Sequence, residues 1–344
     1  MIAILILLIL MILFSLRVCI NGLNCDYLSK PNTEPIKGIF VIIIFLSHIR
    51  TYADFSHWTD LLVIDVLNYF GQLMVAMFLF YSGYGIYESF KNKGRAYIKG
   101  IPQNRFGKTF FDFALAICLF LFTDIIMGIE YPADQIALAF TGWTTIGNSN
   151  WYMFAVFTLY LLTFLCFMPF KNNKWVPIVL MTICSLGYVY IMSLYKENFW
   201  SSTYLCYVAG MWYSYFKNNL DEILDKYHIL YYAFTICVIA GYLYMFDFRY
   251  VRLMMFNAVA VLFCIAIVLV SKKIYFKSRI LSWFGKYVFW IYILQRIPMR
   301  LLSNLLGLNE EQPYLYLFIC LLLTLLLAVA ISKFSIMLKR KIWK

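Results

Sequence analysis

The chain has 344 residues, of which 63% are hydrophobic and only 13% are charged, and its formal net charge is +12. This composition lies far from that of a soluble globular domain, and it predicts an all-α integral membrane protein built as a single polytopic bundle. In a soluble protein this charge would suggest nucleic acid. Basic loops explain the charge in a membrane protein, so we expect no nucleic-acid partner.

Apolar stretches of roughly 20 residues, the length that crosses a hydrocarbon core, predict about eleven transmembrane helices. They lie at residues 2–16, 37–53, 61–87, 109–127, 151–169, 176–195, 200–216, 229–247, 253–270, 287–306 and 314–333. The first span lacks a preceding basic segment and a following small-residue cleavage site, so we interpret it as a retained helix. We divide the chain into an extra N-terminal span at 1–26 and a membrane-embedded domain at 27–344.

The basic residues predict the orientation of the bundle. With the N-terminus outside, 23 of the 29 Lys and Arg residues fall in cytoplasmic segments. The other six are Arg50, Lys196, Arg249, Arg252, Arg296 and Arg300. Because cytoplasmic loops collect Lys and Arg, this division predicts an outer N-terminus and a cytoplasmic C-terminus.

The loops and cysteines indicate where chemistry can occur. No loop is long enough to fold alone, and the chain has neither a Gly-rich phosphate loop nor a nucleophile elbow. The nine cysteines show no C-x-x-C spacing, so they fit apolar packing and no metal is expected. Any chemistry should therefore take place among the helices or at their ends.

His48 is the only histidine inside a predicted span, at the end of the run KGIFVIIIFLSH that begins at Lys37. Eleven helical steps, about 16 Å, separate the two residues and place His48 near the middle of the bilayer. An ionisable ring at that depth is costly, so it is read as functional. In the following span Asp65 lies at a similar depth and can orient the imidazole as a catalytic partner. The alternative, that Asp65 marks the outer interface, stays open.

A basic cluster precedes the fourth predicted span. Arg105 and Lys108 lie one turn apart where the helix begins, and Lys37 opens the second span from the same side. Such groups can hold the phosphates of a nucleotide-like donor, although an ordinary cytoplasmic loop has the same composition. Asp112 is predicted to be a structural salt-bridge partner. In the outer segment at 128–150 and just after it, aromatic residues such as Trp151 favour an interfacial belt over a sugar-stacking platform.

Lys37, ten residues and then His48 resemble the hallmark of the integral-membrane acyltransferase family 3, with Lys in place of the commoner Arg. Arg105 to Lys108 is similar to its R-x-x-R motif, again with a final Lys. Gln295 stands where many members have His. Other stretches resemble the family in the same order, at 74–89, 150–160, 202–216 and 284–295.

The resemblance implies an O-acyltransferase of the bacterial plasma membrane that transfers acetyl from acetyl-CoA to a glycan or glycolipid. His48 would be the base or the acyl carrier. Lys37, Arg105 and Lys108 would hold the donor. The residues expected to contact the substrate or the oxyanion are Ser82, Asn150, Trp151 and Tyr152.

Two other classes of function stay open from the sequence. One is a transporter or flippase of a lipid-linked sugar or small solute, with His48 and Asp65 as a proton relay. The other is an enzymatically silent assembly partner, because Gln295 cannot act as a base. The sequence specifies neither the acceptor hydroxyl, the acyl chain length, the oligomeric state nor any protein partner.

Overall fold

The computed structural model describes residues 1–170 and 173–343. Lys171 and Lys344, two of the basic residues counted above, lie outside the described residues. The described chain is mostly helical, and its strands form a single pair of three residues each. The predicted all-α membrane fold is therefore confirmed.

The helices run in chain order through the bundle. They are α1 (Ile2–Ser15), α2 (Lys30–Ile49), α3 (Trp58–Phe70), α4 (Leu73–Lys93), α5 (Arg95–Lys99), α6 (Lys108–Met127), α7 (Ala133–Ala139), α8 (Trp151–Phe167), α9 (Val176–Tyr195), α10 (Leu205–Lys226), α11 (His228–Phe246), α12 (Leu253–Ser271), α13 (Arg279–Lys286), α14 (Val288–Leu294), α15 (Arg296–Leu306), α16 (Leu308–Glu311) and α17 (Pro313–Ile342). A π-helix spans Pro102–Gly107 and a 3-10 turn spans Asn198–Trp200. The strands β1 (Leu16–Val18) and β2 (Ile274–Phe276) pair antiparallel.

Seven helical segments in the described ranges are long and apolar enough to cross a membrane. They lie at 30–49, 58–93, 102–127, 176–195, 228–246, 254–271 and 313–342. Two further apolar helices, α1 and α8, are shorter, with 14 and 17 residues. Each of the predicted spans overlaps a helix, but α2 begins at Lys30, earlier than the predicted residue 37.

The prediction of one continuous helix at 61–87 is wrong. α3 ends at Phe70 and α4 begins at Leu73, and Gly71 between them has φ +42°. Glycine adopts positive φ without steric cost, so the helix stops and turns there. The buried face of α3 contains Val63 and Leu67. Asp65 is two residues from each, about 200° around the helix, and its side chain is exposed.

The two ends of the bundle differ in what they carry. We call the end with β1, β2 and the first turn of α2 the basic face, and the end with Met1 the opposite face. The amino group of Met1 lies 2.9 Å from a carboxylate oxygen of Asp60, and the Tyr314 hydroxyl donates to the other oxygen at 2.7 Å. Tyr314 begins the 30-residue helix α17, so the N-terminus and the end of that helix lie on different faces.

A buried polar network joins the segment before α2 to α10 and α12 at the basic face. The Tyr27 hydroxyl donates to Asp221 at 2.9 Å, and the buried Lys272 ammonium lies 2.8 Å from the same carboxylate oxygen. Burial, followed by the neighbouring Tyr213 and Asp221, raises the pKa of Tyr27, so its hydroxyl stays protonated and donates. This network holds the segment before α2 against α10 and α12 at the basic face.

Two helix pairs approach so closely that only glycine fits between them. A Cβ on Gly38 would collide with the carbonyl of Leu281 in α13, and a Cβ on Gly83 would collide with the carbonyl of Tyr207 in α10. Small residues at such crossings let helix backbones pack in van der Waals contact inside a membrane. These contacts set the positions of α2 and α4, which carry the residues of the candidate site.

We expect Gly83→Ala to destabilise the protein by about 1–3 kcal/mol, because the added methyl group must push α4 away from α10. Gly85→Ala on the same helix is a matched control, since a Cβ there meets no atom within 4 Å. The measurement is thermal unfolding of the purified protein in one detergent. Equal melting temperatures for the two variants would contradict the close packing at Gly83.

Candidate active site

His48 lies in a cavity of about 420 Å³ near the end of α2, toward the opposite face. The walls come from α2, the turn between α3 and α4, the segment before α8, and α14 with α15. Its polar lining residues are Ser47, His48, Arg50, Gln72, Thr145, Asn148, Ser149, Asn150 and Arg296. The Nδ1 atom of His48 is buried and has no hydrogen-bond partner in the described part of the chain. We call this space the His48 cavity.

A second cavity, of about 400 Å³, lies toward the basic face and is called the Lys37 cavity. Lys37 and Arg105 are its charged residues, and tyrosines form much of the remaining wall. The Lys37 ammonium lies 5.3 Å from the centre of the Tyr81 ring. The cavity therefore combines two cations with an aromatic surface, a setting that suits an anionic ligand with an extended apolar part.

Tyr292 lines both cavities and separates them. Its ring centre lies 6.2 Å from that of His48 and 5.3 Å from that of Tyr152. The start of α8 lies at the same partition, because Asn150 and Trp151 line the His48 cavity while Tyr152 lines the Lys37 cavity. Two tyrosine rings thus lie where the cavity toward the basic face meets the cavity toward the opposite face.

The position of Tyr292 follows from a break between α14 and α15. Pro298 has no backbone N–H, so it cannot bond to the carbonyl of Leu294 one turn earlier, and the helix is interrupted at Gln295. The Gln295 side chain is fully buried and donates to the Tyr292 carbonyl at 2.9 Å. Gln295 lines neither cavity, so it supports the backbone that carries Tyr292.

Only some of the predicted donor-binding residues come together. Arg105 lies in the π-helix before α6, and its Nε donates to the Tyr97 hydroxyl at 3.0 Å while its side chain lines the Lys37 cavity. Lys108 donates to Asn104 at 2.9 Å and does not line that cavity. The structure therefore joins Lys37 to Arg105 and leaves Lys108 outside.

Asp65 is not brought to His48. It is exposed on α3 and is absent from the lining of the His48 cavity, because the turn at Gly71 and the buried face of α3 direct it outward. This placement favours the interpretation of Asp65 as an interfacial residue. A different polar residue of α3 contacts the site, since Asn68 accepts a 2.7 Å hydrogen bond from Arg50.

The predicted substrate-contacting residues divide between the two spaces. Ser82 lines the Lys37 cavity together with Tyr152, whereas Asn150 and Trp151 line the His48 cavity. The Asn150 amide donates to the carbonyl of Gly142 at 3.0 Å and so ties the outer segment to the start of α8.

Asp112 forms a salt bridge between two helices, as the sequence predicted. Its carboxylate lies 2.6 Å from the Lys339 ammonium and also accepts a hydrogen bond from Ser335, both on α17. This contact joins α6 to α17 at the basic face.

Sequence reasoning missed Arg50, Arg296 and Tyr292 as members of the site. For the arginines a signal existed, because both are among the six basic residues that the predicted topology places outside the cytoplasmic segments. Tyr292 gave no such signal, since the chain contains 28 tyrosines and most lie in apolar segments.

The chain was compared with known protein families. A family profile described as an acyltransferase domain matches residues 35–333. The matched region begins just before Lys37 and ends within α17, so it contains every residue that lines the two cavities. Searches of curated proteins and of solved structures found no match.

Proposed function

The chain belongs to this acyltransferase family, and from that premise we propose that it transfers an acetyl group from acetyl-CoA to a hydroxyl of a glycan or glycolipid. The observation that carries the proposal is the meeting of two cavities at Tyr292, one lined by Lys37 and Arg105 and the other by His48. A large anionic donor and a sugar acceptor need different surroundings. Two cavities that share Tyr292 and differ in their other lining residues would supply both and let the reacting ends meet.

The donor is assigned to the Lys37 cavity, and the basic face is assigned to the cytoplasm of a bacterial cell. Arg105 and Lys37 would contact the phosphates of acetyl-CoA through charge-assisted hydrogen bonds. The thin pantetheine arm would pass along the tyrosine-lined wall, so that the thioester reaches the partition at Tyr292 and Tyr152. Cytoplasmic placement agrees with the excess of Lys and Arg on this face.

His48 is assigned the proton transfer. Neutral His48 takes the proton from the acceptor hydroxyl as the hydroxyl oxygen attacks the thioester carbonyl. The tetrahedral intermediate then breaks its C–S bond, and the departing thiolate takes the proton from His48. The products are the O-acetyl ester and CoA with a free thiol. A route in which His48 first accepts the acetyl group needs the same residue and the same two cavities.

The oxyanion of that intermediate needs hydrogen-bond donors at the partition. Asn150, Tyr152 and Ser82 lie on the walls that meet there. Helix α8 also begins at the partition, with Trp151. Its first backbone N–H groups have no acceptor carbonyl within the helix, so they are further hydrogen-bond donors at this place.

A proton-coupled carrier receives less support from the same geometry. Its relay would require His48 and Asp65 together, and Asp65 is exposed outside the cavity.

The direct test uses membranes that contain the protein and acetyl-CoA labelled in the acetyl group. We expect label in the glycan or glycolipid fraction and its release by mild alkali, because an O-acetyl ester is cleaved under conditions that leave an amide intact. Membranes from cells without the gene are the control. Absence of label in this fraction, or label resistant to alkali, would contradict the proposed reaction.

We expect Lys37→Ala and Arg105→Ala each to raise the KM for acetyl-CoA by about 10- to 100-fold, the effect of losing a charge-assisted contact. Lys108→Ala should have a smaller effect, because Lys108 lies outside the cavity. Lys99→Ala removes an exposed charge from the same segment and is the matched control. If all four variants had the same KM, the basic residues would act only in setting the orientation of the protein.

A further inference from the structure

The His48 cavity contains two arginines and no carboxylate. Arg50 directly follows α2 and Arg296 begins α15, and both line the same cavity of about 420 Å³. Neither forms an ion pair in the described residues 1–170 and 173–343. Two guanidinium groups therefore border the space that holds His48 without a compensating negative charge.

The hydrogen bonds of these arginines leave their charge unbalanced. Nη1 of Arg50 donates to the neutral amide oxygen of Asn68 at 2.7 Å. Nε of Arg296 is buried, and it has no hydrogen-bond partner in the described part of the protein. Removing a charged group from water without a partner is costly, and an anion bound beside both arginines offsets that cost.

The carboxylates of the opposite face lie elsewhere. Asp54, Asp65 and Asp247 are exposed and outside the His48 cavity, and Glu197 lines only the neighbouring spaces. Two more arginines, Arg249 and Arg252, line an adjoining cavity that shares Gly71, Gln72 and Phe199 with the first. Four arginines thus line the two adjoining cavities, against one carboxylate, that of Glu197.

We infer that the acceptor is an anionic glycan or glycolipid, whose phosphate or carboxylate binds Arg50 and Arg296 beside the hydroxyl that reacts. This inference rests on the proposed function and specifies its acceptor. Arginine suits the task because its planar guanidinium forms paired hydrogen bonds with the oxygens of a carboxylate or a phosphate. The donor's phosphates are assigned to the other side of the Tyr292 partition, so they do not account for these two charges.

The small size of the cavity places the anionic group close to the reacting sugar. A volume of about 420 Å³ is near the lower end for pockets that hold small ligands. His48 and both arginines border that one space, so the charge belongs to the acetylated sugar or to the unit joined directly to it.

The test measures binding, so that it does not depend on acetyl transfer. The full chain in lipid nanodiscs is titrated with three octyl-linked glucosides below their micellar concentrations: octyl glucoside, octyl glucuronide and an octyl glucosyl phosphate diester. We expect at least tenfold tighter binding of one or both charged compounds, equivalent to about 1.4 kcal/mol. The stronger of the two identifies a carboxylate or a phosphate as the natural group.

Arg50→Gln and Arg296→Gln should each remove most of this preference, so that the affinities for the three glucosides become nearly equal. Arg340→Gln, an exposed arginine near the end of α17, is the control for loss of one positive charge. Equal affinity of the wild-type protein for all three glucosides, or wild-type affinity of both cavity variants for the charged ones, would overturn the inference. Preserved charge-dependent binding without any acetyl transfer would contradict the proposed reaction instead and leave the anionic site supported.

Discussion

His48→Gln is expected to lower acetyl transfer by about 10²- to 10⁴-fold while the protein remains folded and inserted. Glutamine keeps nearly the size of the imidazole and can still form a hydrogen bond, but it cannot take up a proton near neutral pH. The change therefore tests proton transfer separately from packing. The measurement is the acetylated glycan formed by a deletion strain complemented with each variant at equal membrane levels.

The surroundings of His48 make this variant informative. Nδ1 of His48 has no partner among the described residues, so no protein hydrogen bond is lost at that atom when the ring is replaced. His228→Gln is the matched control, because His228 is exposed at the start of α11. Near-normal acetylation by His48→Gln would show that the imidazole only fills space, and the assignment of the proton transfer to His48 would be wrong.

The sequence was sufficient to predict the helical membrane bundle. Apolar runs near 20 residues mark the spans because no other structure satisfies backbone groups in lipid so simply. The fixed rise of a helix predicts the separation of Lys37 and His48 along α2, and the two residues line different cavities. Such inferences succeed because they depend only on the local geometry of one helix.

The prediction for Asp65 shows where local reasoning ends. Its depth was estimated on the assumption of an uninterrupted helix from 61 to 87, yet Gly71 adopts φ +42° and divides that segment. A glycine in an apolar run is compatible with a continuous helix or with a turn, and packing against the neighbouring elements decides between them. The sequence alone therefore could not predict which side of α3 faces the site.

The partition between the cavities depends on contacts between distant parts of the chain. Tyr152 and Tyr292 are 140 positions apart, and their rings meet with centres 5.3 Å apart only after α8 and α14 pack together. The helix break that positions Tyr292 has a local cause in Pro298. The contact between Tyr292 and Tyr152 depends on how distant helices pack. Conversely, Arg50 and Arg296 were visible in the sequence as exceptions to the charge rule, and both line the His48 cavity.

A buried ion pair supports the wall of the His48 cavity. The Arg300 guanidinium lies 2.6 Å from the Asp124 carboxylate, and only 9% and 2% of the two side chains are exposed. Arg300 also donates to the carbonyl of Ile146 at 2.8 Å. Gly147 follows with φ +92°, and a Cβ there would collide with the guanidinium. The segment that supplies Asn148 to Asn150 is thus built against this arginine.

Breaking that pair is expected to cost about 3–5 kcal/mol of stability. Arg300→Met leaves the Asp124 carboxylate buried without its partner, and Asp124→Asn leaves the Arg300 guanidinium buried without its partner. The double variant should recover much of the loss, since it leaves no unpaired charge. Lys339→Met is the comparison, because it breaks the more exposed pair with Asp112 and should cost less. Thermal and denaturant unfolding of the four purified variants, with acetyl transfer measured below the lowest melting temperature, supplies the values. A double variant no more stable than the two single ones would show that the arginine acts through its bond to Ile146, and that the wall of the site does not depend on charge pairing.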